Sequence, residues 1–80
     1  MEINQAFGQN FKKIRKQKKI SHENLATASG VSRTSISLIE KGERLPNFYS
    51  FLLLAKGLEV EPEKLNNPLR KDCPDFFHQE

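Results

Sequence analysis

The stretch SRTSISLIEK, residues 32–41, carries the side chains best equipped for chemistry. Laid on a helix at about 100° per residue, Ile36 and Ile39 mark an inward side. Thr34, Ser37, Leu38 and Lys41 then face outward, and Arg33 and Ser35 flank that face near its N-terminal end. A guanidinium there can give paired hydrogen bonds to O6 and N7 of a guanine, and hydroxyls can bond base edges or phosphates. Arg33, Thr34, Ser35 and Ser37 are the candidate base contacts. An exposed leucine by itself carries no meaning, but Leu38 on this face is placed to press on a thymine methyl. Lys41 and Arg44 flank a short loop and can clamp phosphates; Ser32 and Asn47 are assigned to the same phosphate-contacting set.

Other chemistries find little support. Apart from hydroxyls and carboxylates, His22, Cys73 and His78 are the obvious nucleophile or ligand types, and they lack metal-ligand spacing. There is no Gly-rich phosphate loop. Glu23, Glu40 and Glu43 do not share a face on which a nuclease would hold a metal. The expectation is a protein that is not an enzyme, with no metal and no cofactor.

The elements that must position the polar stretch can be read around it. Ser21 is a good N-cap, and Leu25 and Ala26 give a small apolar face. Gly30 suits a turn that needs positive φ. Ser32 is a second N-cap, and Gly42 is placed to end the second helix. Helix, Gly-containing turn, helix is a plan whose second helix can lie in the major groove of DNA.

Ahead of it, residues 1–5 read as a polar arm. A first helix is expected from about Phe7 to Lys18, with Phe7, Phe11 and Ile14 on one face. Arg15 lies on the edge of that face, and Glu40 falls beside the inward side of the helix carrying Ile36. A carboxylate at a core edge is costly unless paired, so Arg15 and Glu40 are expected to form a structural ion pair.

Behind it, a helix from about Pro46 to Gly57 or Leu58 has Phe48, Phe51, Leu54, Ala55 and Leu58 as its core stripe. Tyr49 and Leu53 lie opposite, with Leu52 on the flank. A helix apolar on two sides needs a second cover, and Tyr49, Leu52 and Leu53 are therefore assigned to a homodimer interface. A short fifth helix is expected around Pro62 and Leu65. Residues 1–66 read as one domain and 67–80 as a tail. Phe76 and Phe77 in that tail are assigned to docking on the fourth helix or the dimer partner.

Composition agrees with a polyanion as partner. The chain has 80 residues, 36% hydrophobic and 29% charged, and a net charge of +3. Through Arg44 there are nine Lys or Arg against four Glu; beyond it acidic residues outnumber basic ones. A basic front half suits double-stranded DNA, and an acidic back half suggests a different task. The longest apolar run, Phe51 to Ala55, is far too short for a membrane. No signal peptide is evident, and the single Cys73 cannot make an internal disulfide, so a cytoplasmic location is expected.

These residues resemble the Xre-type helix-turn-helix family, that of the phage lambda repressor and Cro. The likeness runs from about Gly8 to Leu65. It rests on Gly8, Phe11, Ile14 and Arg15; on Ser21, Leu25 and Ala26; on Gly30-Val31-Ser32-Arg33, Ile36-Ser37 and Ile39-Glu40-Lys41-Gly42; and on Pro46, Phe51, Ala55, Leu58 and Val60. The resemblance implies an all-α, five-helix domain that binds operator DNA as a dimer, with Arg15 and Glu40 as the family's buried ion pair. His22 stands where the family usually has a glutamine that touches a phosphate, and joins the phosphate set on that ground. Lys19 replaces a more usual glycine, Leu38 a frequently polar reading residue, and Tyr49 and Leu53 residues that are commonly polar. Arg33-Thr34, Ile36-Ser37 and Lys56-Gly57-Leu58-Glu59-Val60 resemble the controller proteins of restriction–modification systems, single-domain dimers on palindromic operators upstream of their own and the endonuclease genes. The alternative is an antitoxin or another module that grips a protein partner.

Overall fold

The computed structural model describes residues 2–66, and the Phe76–Phe77 assignment and the rest of the 67–80 tail lie outside them. Four helices, α1 (Ile3–Gln17), α2 (His22–Ser29), α3 (Arg33–Glu40) and α4 (Phe48–Leu58), are followed by α5 at 62–66. The described residues contain no strand. Among the described residues no helix is long and apolar enough to cross a membrane.

The helices begin and end where local chemistry dictates. Ser21, Ser32 and Asn47 are extended, and each side chain accepts a backbone N–H of the turn that follows. Each bond satisfies one of the orphan donors of a helix start. Gly30 closes α2 at φ 81°. Gly42, at φ 79°, ends α3, with its N–H on Ile39 O and the Glu43 N–H on Leu38 O. This is the paired 5→2 and 6→1 closure of a Schellman motif. The same closure ends α1, but there Lys19 holds the left-handed position at φ 57°.

One core joins all five helices. Phe7, Phe11 and Ile14 of α1 meet Leu25, Val31, Ile36, Ile39, Leu54, Ala55, Leu58 and Leu65. Phe7 packs on Phe11 and Phe51 with ring centroids 6.3 and 6.1 Å apart. Asn10 reaches from α1 to α5, donating to Lys64 O at 3.0 Å. Gly57 lets α4 lie close on α2, because a Cβ there would stand 3.0 Å from Leu25 Cδ1 and Ser29 Cβ.

Three expectations are corrected. The N-terminus is not a free arm: α1 begins at Ile3, and Ala6 is buried with Phe7. Gln5 lies against Gly42, so packing beneath the α3–α4 loop orders a turn whose polar residues hide its single inward alanine. Phe48 does not belong to the core stripe; it is 76% exposed, standing in the first turn of α4 beyond the reach of the other helices. Leu53, by contrast, is half-buried and packs against the core. The apolar surface left on α4 is therefore Phe48, Tyr49 and Leu52 rather than Tyr49, Leu52 and Leu53.

Candidate nucleic-acid interface

The turn between α2 and α3 is built from side chains that satisfy its own backbone. The Gly30 N–H returns to Ala26 O at 2.9 Å. Ser29 is buried, and its Oγ accepts the Val31 N–H at 3.1 Å. Val31 closes the core beneath the turn. Ile36 and Ile39 then pin one side of α3 inward, which leaves Arg33 and Thr34 exposed at the first turn. Ser37 and Leu38 are half-buried, so Leu38 projects less freely than the helical wheel suggests.

The first turn of α3 is tied to the loop that follows the helix. The Ser32 hydroxyl donates to Ser35 Oγ at 2.9 Å, and the Ser35 N–H caps onto Ser32 Oγ at 3.1 Å. Arg44 Nη1 donates to Ser35 Oγ at 2.9 Å. Sequence reasoning placed Ser35 and Arg44 in separate contact sets and missed this bond. Asn47 spends its Oδ1 on the Ser50 N–H at 2.8 Å, and Lys41 is exposed beside Gly42.

The other end of α3 is held from within. Arg15 Nε donates to Glu40 Oε2 at 2.5 Å, Nη2 to Oε1 at 3.2 Å, and Nη1 to Ile20 O at 2.8 Å. His22 Nε2 meets Glu40 Oε1 at 3.0 Å. The ring thus bridges α2 to the end of α3, a contact that sequence reasoning did not name, and borders a surface depression together with Arg15, Ser21, Glu23 and Arg33. Burial pushes the Glu40 carboxyl up, but the hydrogen bonds and charges of Arg15 and His22 outweigh it and hold the carboxyl below its usual range. Among the described residues, no His, Cys, Asp and Glu group has the makings of a metal site.

A helix held at its C-terminal end, with its polar N-terminal end exposed after a glycine turn, defines the class: a helix-turn-helix of the kind that places its second helix in a DNA groove. The chain belongs to the helix-turn-helix family, which its residues 11–65 match. It is similar to the HTH-type transcriptional regulator YqaE of Bacillus subtilis, 34% identical over 59 residues, 74% of this chain and 51% of that protein. It thus spans about half the length of that relative. It is also 34% identical over 65 residues to the control protein C.SmaI of Serratia marcescens, covering 81% of this chain and 77% of that one. Among solved structures, the restriction-modification controller protein C.AhdI from Aeromonas hydrophila matches with a TM-score of 0.75 at 35% identity, over 78% of this chain and 94% of that chain.

Proposed function

We propose that this chain is a cytoplasmic, sequence-specific DNA-binding transcriptional regulator, without enzymatic activity, that acts as a homodimer on palindromic operators, including one near its own gene. One observation carries the reading: the first turn of α3 presents Arg33 and Thr34 to solvent, with Arg44 bound to Ser35 of the same turn, while the opposite face of the helix is locked into the core. Arg33, Thr34, Ser37 and Leu38 would meet base edges. Lys41, Arg44, Ser32, Asn47 and His22 would hold phosphates and fix the register. The likeness to C.AhdI and C.SmaI supports a controller-type role.

The dimer rests on α4. Phe48 is 76% and Tyr49 70% exposed, with Leu52 beside them. An apolar patch of this kind marks an interaction surface. A two-fold dimer across it would set two α3 helices about 34 Å apart, one turn of B-DNA. The same patch suits a partner-binding antitoxin, and a stoichiometric protein that co-purifies would favour that reading.

The test is a mobility shift with duplex from upstream of the gene, at about 150 mM salt with competitor, because phosphate contacts alone give tight binding at low salt. Arg33→Ala should cost about 1–3 kcal/mol and relax specificity at one base pair. Unchanged affinity in that variant would remove α3 as the reading helix.

A further inference from the structure

Arg44 lies in an irregular loop and is exposed, yet its guanidinium is anchored. Its Nη1 donates to Ser35 Oγ, which also accepts from the Ser32 hydroxyl. A serine oxygen has two acceptor sites, so both are used inside the protein. The Arg44 side chain borders the shallow depression between α3 and the start of α4, beside Ser35, Asn47 and Ser50. A free arginine side chain has much rotamer entropy to lose, and one already held in place loses less of it on binding.

We infer that Ser35 is a positioning residue for Arg44. It ties a loop arginine to the first turn of the reading helix, so that Arg44 moves in register with Arg33 and presents its remaining N–H groups to DNA from a fixed place. Ser35 then acts on DNA through Arg44. This rests on the DNA-binding reading above.

The geometry provides a clean variant. The cap bond uses the Ser35 backbone N–H, so Ser35→Ala keeps the cap of α3 and removes only the hydroxyl. The experiment is a double-mutant cycle on the full chain with Ser35→Ala, Arg44→Ala and the pair, and Ser35→Thr as the conservative rescue. The probes are duplex from upstream of the gene and poly(dI-dC) as generic duplex. Ser35→Ala should weaken upstream binding about 3- to 10-fold, the range set by one hydrogen bond's net worth. It should have no further effect in the Arg44→Ala background, and Ser35→Thr should restore binding to within about 2-fold. In the free protein, the Arg44 Nε–Hε heteronuclear NOE should drop in Ser35→Ala and recover in Ser35→Thr. Equal losses in both backgrounds, or an unchanged NOE, would overturn the positioning role while leaving DNA binding intact. A wild-type chain that binds neither duplex would overturn the DNA reading itself, and the inference with it.

Discussion

Glu40→Gln isolates the charge at the centre of the three-residue tie. The Glu40 side chain is 6% accessible and that of Arg15 12%. The variant keeps the volume but leaves the guanidinium under cover without its counter-charge, facing a neutral amide oxygen and Ile20 O. Breaking a buried pair by removing one partner costs about 3–5 kcal/mol. Arg15 keeps some contact with water, so the low end applies, about 3 kcal/mol. A domain of this size has about 3–10 kcal/mol in total, so the loss is a large part of it. At about 4–8 °C per kcal/mol for small domains, the melting temperature should fall by about 12–24 °C at neutral pH.

The pH dependence has a definite sign. The folded protein holds the Glu40 carboxyl below its ordinary value. The stabilisation is therefore complete above the unfolded carboxylate pKa, about 4.3. It is lost as pH falls through the lower folded value, because the unfolded chain takes the proton first. Thermal melts by circular dichroism, wild type against variant, should show the gap widest above about pH 5 and closing in more acid solution. A gap below about 1 kcal/mol at pH 7, or one that stays constant into acid, would refute the idea that this ion pair holds the end of α3.

Two further variants probe the backbone around the same helix. Gly8→Ala places a Cβ 2.4 Å from Ile39 O and 2.9 Å from Glu40 O; overpacking of about 1–3 kcal/mol outweighs the propensity gain of up to about 1 kcal/mol, and urea melts should show a clear loss of stability, with any gain speaking against the close approach. Lys19→Gly relieves a left-handed lysine at φ 57°; about 1–2 kcal/mol of strain less about 0.4–1 kcal/mol of unfolded-state entropy leaves a stabilisation of about 0.5–1 kcal/mol, which the same melts would detect.

What could be read from sequence was whatever a single helix or cap determines. Ser21, Ser32, Gly30 and Gly42 act locally, and the structure puts them at the ends where local chemistry requires them. The apolar spacing of Phe7, Phe11 and Ile14 survives for the same reason. Where the reading went astray, a distant element decided. Gln5 is ordered by Gly42, which lies far along the chain. Phe48 and Leu53 exchange places because the wheel of α4 does not tell where α2 crosses it. The contact of His22 with Glu40 went unread, since only the folded angle between α2 and α3 brings the two together. Gly8 did leave a signal: a glycine inside a helix is costly and points to a close backbone approach.

These contacts are distributed along α3 in a way that bears on its task. At its C-terminal end, Gly8 admits the backbone of α1 against the carbonyls of Ile39 and Glu40, Arg15 grips the Glu40 side chain two turns further along α1, and Gln5 meets Gly42 just beyond the helix. His22 adds α2 to the same end. At the N-terminal end, above the buried Val31 and Ile36, the side-chain hydrogen bonds are the Ser32 cap, the Ser32 hydroxyl bond to Ser35 and the bond from Arg44 to Ser35, all made by polar groups at the surface. The helix is clamped where it meets the protein and kept polar where it would meet DNA. Buried ionic contacts resist rearrangement. Under the proposed reading, such a division fixes the angle at which α3 is held while Arg33 and Thr34 stay exposed at its first turn, where discrimination between operators would fall.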